Sequence, residues 1–116
     1  MHLLVIFLAE SELLGEIFQA LQQIGIRRAT LVESVGLRRA MSEENVPLIA
    51  SLHHLLRRDE YPNVTLFIVV ETEQKAQQAI SIVDELVGGL ENPNTGLAFT
   101  IPIYNVTGFI PDSERS

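Results

Sequence analysis

Two stretches of this chain repeat one local order: an apolar run, a helical stripe, and a further run rich in β-branched residues. That repetition limits what the chain can fold into more than any other feature. The first run, Leu3-Leu4-Val5-Ile6-Phe7-Leu8, is continuous rather than alternating, as expected of a strand covered on both faces. Ser11 stands where a helix N-cap would. It precedes Leu13, Leu14, Ile17, Phe18, Leu21 and Ile24, whose spacing sets one apolar stripe on a helix. Gly25 is the stop signal. Residues 28–37 then carry Thr30, Val32 and Val35 in a second strand that ends near Gly36.

The second unit begins at Val64-Thr65-Leu66-Phe67-Ile68-Val69-Val70-Glu71, the clearest strand in the chain, bounded by Tyr61-Pro62-Asn63. Thr72 is the expected N-cap of a helix with Ala76, Ala79, Ile80, Val83, Leu86 and Val87 on one face, and Gly88-Gly89 ends it. Turn formers occupy 91–96, and Leu97-Ala98-Phe99-Thr100-Ile101 reads as a fourth strand. Pro102 marks that strand as bulged or as an edge. This order predicts an α+β fold, a ferredoxin-like βαββαβ sandwich with an antiparallel four-stranded sheet and two helices on one face. A helix bundle or an all-β sandwich would not give it.

Residues 36–62 are too long for an ordinary connection inside a compact domain. They hold a helical pattern of their own, in which Leu48, Ile49, Leu52, Leu55 and Leu56 share a stripe and Pro47 suits a first turn. Arg38-Arg39, Glu43-Glu44, Arg57-Arg58 and Asp59-Glu60 flank the stripe. Such a stripe packs on its own sheet, on another subunit or on a partner protein, because a bare one is a solubility liability. We read 1–110 as one domain and the polar residues 111–116 as a flexible tail.

Composition narrows the function classes. The chain has 116 residues, 15 acidic against 8 basic, and a formal net charge of −7. That balance excludes a protein that tracks nucleic-acid phosphates with clustered Lys and Arg. No cysteine is present, so disulfides, thiolate nucleophiles and Cys-type zinc sites are excluded. The N-terminal run is followed at once by Glu10 and Glu12 and is far short of a span of about 20 apolar residues. A cytoplasmic location without membrane insertion is expected.

The residues resemble the PII-like signalling proteins. The likeness rests on the βαββαβ order, on the long excursion between strands two and three, and on Asn94-Thr95-Gly96-Leu97-Ala98-Phe99-Thr100-Ile101-Pro102-Ile103. There a glycine loop leads into a last strand with Phe99 and the pair Pro102-Ile103. The resemblance implies a non-enzymatic regulatory homotrimer with ligand clefts between subunits, which binds a small effector of the adenine-nucleotide kind. It also implies that 36–62 is the T-loop that contacts a transporter or enzyme, and that 88–96 is the loop that cradles phosphate. The ligand-binding residues carried over are Gly36, Arg38, Arg39, Gly88, Gly89, Asn94, Thr95 and Gly96. The partner-facing residues are Leu48, Leu52, Leu55 and Leu56.

Phosphate cradles combine backbone N–H groups with a cation. Here Leu97 follows Gly96, and no Lys or Arg occurs from Ala76 to Glu114. An uncharged loop on an acidic chain holds a triphosphate poorly, and Arg38 and Arg39 are the cations placed to substitute. A CutA-like metal-binding trimer is the alternative, through His53 and His54. These neighbours point about 100° apart on a helix and do not chelate as an i, i+4 pair would. No metal ligand set is expected, with His2 at the terminus. The pairs Glu10/Glu12, Glu43/Glu44 and Asp59/Glu60 read as solvated surface. The serines form no nucleophilic motif, so no catalytic residue is assigned. Two further classes are a structural module docking a helix on the 48–56 stripe, and an ACT-like amino-acid sensor, which shares the strand order but normally needs no such excursion.

Overall fold

The computed structural model describes residues 1–9, 11–34, 63–93 and 95–110. Its elements are β1 (His2–Leu8), α1 (Leu14–Gln23), β2 (Thr30–Ser34), β3 (Asn63–Val70), α2 (Glu73–Leu86) and β4 (Gly96–Pro102). The four strands lie in the order β2-β3-β1-β4, and every neighbouring pair is antiparallel. β3 therefore sits between β1 and β2, so the two βαβ units interleave in one open sheet. The fold is α+β and ferredoxin-like, as the element order predicts.

Strand period decides which side chains meet the helices. Leu4, Ile6 and Leu8 of β1 alternate with Leu3, Val5 and Phe7, and register fixes their neighbours: Ile6 lies opposite Leu66 of β3 and Ala98 of β4. The even positions join Val64, Ile68 and Val70 beneath Ile17 and Leu21 of α1 and Ala76, Ala79 and Val83 of α2. Ala76 and Ala79 let α2 lie close to the sheet. Both helices share this face, and the core is the layer between.

The helix ends show which local signals carried weight. Thr72, with φ −130° and ψ 154°, accepts a hydrogen bond on Oγ1 from the Lys75 backbone N–H at 3.1 Å, so it is the N-cap expected. Ser11 is not a cap. α1 starts at Leu14, and Leu13 in the N-cap position offers no side-chain bond. Ser11 contributes only its backbone carbonyl, which accepts from Leu14 N–H at 3.1 Å in a preceding turn. Thr72→Ala is expected to lower stability by about 1 kcal/mol and Ser11→Ala by less than about 0.5 kcal/mol. Urea titration of both variants checks this.

Gly25 ends α1 as predicted. With φ at +88° it donates to Gln22 O at 3.0 Å while Ile26 donates to Leu21 O at 3.0 Å, a Schellman turn. The same turn closes α2, where Gly88 donates to Glu85 O at 3.2 Å and Gly89 to Asp84 O at 2.8 Å.

Two strand limits differ from expectation. β2 begins at Thr30, opposite Phe67, so Arg28 and Ala29 lie outside the ladder. Its expected end near Gly36 lies outside the described residues. β4 reaches Pro102, its last residue and opposite His2, on an edge strand. An edge is where a sheet tolerates a missing N–H.

Candidate functional site

The sheet face away from the helices is apolar and open. Three rows cross it, namely Phe67–Val5–Phe99, Thr65–Phe7–Leu97 and Val69–Leu3–Ile101. Phe7 and Phe99 form a tilted aromatic pair, with ring centroids 6.0 Å apart. Val5 is buried by its flanks, but Leu97 is 57% exposed and Ile101 43% exposed. Thr65 is buried on this face, and its hydroxyl donates to Ser34 Oγ at 3.2 Å. β1 was expected to be covered on both faces. Among the described residues only the helix face is covered.

The residues 88–96 form a braced loop after α2. Gly88, Gly89 and Asn92 donate their N–H groups to Glu85 O, Asp84 O and Gly89 O. Leu90 N–H donates to Asp84 Oδ1 at 2.6 Å. Asn92 Nδ2 donates to Gly88 O at 2.6 Å, and Thr95 Oγ1 donates to Asn92 O at 2.8 Å. Thr95 also accepts Ala9 N–H at 3.1 Å, which ties the loop to β1. Gly96 has φ +152°, and a Cβ there would run into the Phe7 carbonyl. The close approach of β4 to β1 thus requires this glycine whatever ligand the loop meets.

A cleft of about 590 Å³ opens at the other side of the sheet. Arg27, Arg28, Thr30, Phe67, Val69 and Phe109 are among its lining residues. Phe67 and Val69 are open-face residues, so the cleft lies at the rim of the apolar face. Arg27 and Arg28 also line a smaller adjoining cleft with Lys75 and Glu71. Sequence reasoning did not single out these residues. The doubled arginine just past the Gly25 stop was the available signal.

Of the residues expected to bind ligand, Gly88, Gly89, Thr95 and Gly96 come together in the loop after α2. Gly36, Arg38, Arg39 and Asn94 lie outside the described residues, as do Leu48, Leu52, Leu55, Leu56, His53 and His54. His2 is half-buried in β1, not a surface histidine, and its Nδ1 is enclosed with no hydrogen-bond partner. Among the described residues no three His, Cys, Asp or Glu side chains group as a metal site, and no helix is long and apolar enough to cross a membrane.

No known family profile matches the sequence, and no curated protein matches it. Solved structures do match. The crystal structure of a Thermus thermophilus protein described as a PII-like signalling protein superposes with a TM-score of 0.57 at 17% identity. The alignment covers 86% of this chain and 83% of that one. The fold is PII-like.

Proposed function

We propose that this protein is a PII-like regulatory protein without enzymatic activity, which assembles as a homotrimer and binds a small effector at the seams between subunits. The PII-like fold over 86% of the chain carries this reading. The open sheet face supports the assembly: Leu97, Phe99 and Ile101 present an apolar surface that a second and third copy would cover. The 590 Å³ cleft at the rim of that face supports the effector, because a ligand there lies where a neighbouring copy would close over it. An adenine nucleotide is the effector class proposed, with 88–96 among its contacts. Residues 36–62 are the segment proposed to contact a transporter or enzyme, which responds to a shift in loop population rather than to chemistry on the ligand.

The test combines mass with binding. Light scattering on the eluting protein is expected to give three times the 12.9 kDa chain mass. Calorimetry against ATP, ADP, AMP and cyclic AMP is expected to show saturable binding of at least one. A monomer that binds none of the four would sink the reading.

A further inference from the structure

A separate pocket of about 240 Å³ lies at the C-terminal end of α1. Phe18, Leu21 and Gln22 line it from the helix, and Ile26, Arg28 and Ala29 from the residues that follow. Arg27 also borders it but has an interaction partner of its own. Phe18 and Gln22 are four residues apart with Leu21 between them, so the helical period sets all three on one side of α1. The turn at Gly25 supplies the rest. Ile26 N–H donates to Leu21 O at 3.0 Å, and both side chains belong to the buried core, the apolar contact that often accompanies such a turn.

We propose that this pocket binds a small apolar carboxylate, whose body is one ring or a short branched chain. The body lies on Phe18, Leu21 and Ile26, and the carboxylate meets the Arg28 guanidinium and the Gln22 amide at the rim. This goes beyond the effector reading and does not rest on it. The lining residues all fall within 18–29 of one chain, whereas Phe67, Val69 and Phe109 of the larger cleft take no part.

Three observations carry it. First, the lining is graded from apolar to polar. Leu21 and Ile26 are buried, Phe18 is half-buried, and Gln22 and Arg28 are exposed. A ligand with an apolar body and a polar head in contact with water matches that gradient. Second, the groups at the rim can donate to an anion. A guanidinium offers charged, paired N–H groups and keeps its proton, and an amide adds two neutral ones. No Asp or Glu is among the described residues that line the pocket, so a carboxylate head meets no like charge there. The Leu21 and Gln22 carbonyls already accept from Ile26 and Gly25, which offsets the negative end of the α1 dipole. Third, the volume falls below the roughly 300–1,000 Å³ of sites for drug-sized ligands, which limits the body to one ring or a short chain.

Amide spectra of the full chain, titrated with benzoate, benzyl alcohol and acetate, test this. Benzoate is expected to give saturable shifts centred on residues 18–29. It is expected to bind at least ~10-fold more tightly than either control, because benzyl alcohol lacks the charged head and acetate lacks the body. Arg28→Gln is expected to weaken benzoate about 10-fold. Gln22→Trp, on the exposed side of α1, fills the pocket and is expected to abolish binding with the circular dichroism unchanged. Equal affinity for benzyl alcohol or for acetate would overturn the carboxylate class. Shifts confined to 67–69 and 106–110, no saturable shift, or unchanged affinity in both variants would overturn the site. Light scattering and nucleotide calorimetry read the assembly and the effector separately, so failure of one reading does not carry over to the other.

Discussion

On the trimer proposed above, Phe99→Glu is expected to give monomers that keep their secondary structure. Phe99 lies on the open sheet face, 37% exposed in the single chain and stacked beside Phe7. The helix-face core beneath Ile17, Leu21 and Val83 does not include it. A glutamate there exchanges apolar burial worth roughly 2 kcal/mol for a carboxylate that must be desolvated between subunits. Three copies of the change remove about 6 kcal/mol per trimer, roughly four decades in the association constant. Gln78→Glu, on the exposed surface of α2, adds the same charge and is expected to leave the mass unchanged. Sedimentation equilibrium with circular dichroism reads both. A Phe99→Glu protein that remains trimeric would move the interface off this face.

Gly96→Ala is expected to cost roughly 2–5 kcal/mol of stability. The added Cβ meets the Phe7 carbonyl oxygen, the Phe7 carbonyl carbon at 3.2 Å and the Leu8 Cα at 3.4 Å. All three are backbone atoms of a central strand, which cannot rotate aside as a side chain would. The φ of +152° adds strain of its own for any residue with a Cβ. Gly15 is the contrast: it lies within α1 with nothing within 4 Å of its added Cβ, so Gly15→Ala is expected to stabilise by about 0.5 kcal/mol. Urea denaturation of the two variants gives opposite signs on this account. If Gly96→Ala instead leaves stability unchanged and abolishes effector binding, the glycine serves the ligand and not the β1–β4 contact.

That second case shows how a motif residue can carry two meanings. Gly96 supported the family resemblance because a glycine precedes the last strand. The structure adds a reason internal to the fold, which depends on how near β4 runs to β1. Spacing along the chain carries no trace of that distance. Thr72, Gly25 and Gly88 behave differently. Their signals are completed within three to five residues of chain, so a local pattern is enough to read them. Ser11 shows the limit even of local reading: the turn through Glu12 and Leu13 delays the helix and leaves its hydroxyl out of the cap position.

The continuous apolar run of β1 was legible as a strand needing cover on both faces. The tertiary structure decided where that cover comes from. Both helices pack on the Leu4–Ile6–Leu8 side, and among the described residues no element covers the side with Phe7. The sequence by itself determined the elements, their order and the helix face of each stripe, because periods of 2 and 3.6 residues are properties of neighbours in the chain. Only the tertiary structure decided that β3 lies between β1 and β2, and that Lys75 stands beside Arg27 and Arg28. It also decided that the N–H groups of Gly88 and Gly89 are occupied. These are relations between residues far apart in sequence or between backbone groups, and they are set by strand register and turn geometry rather than by residue type.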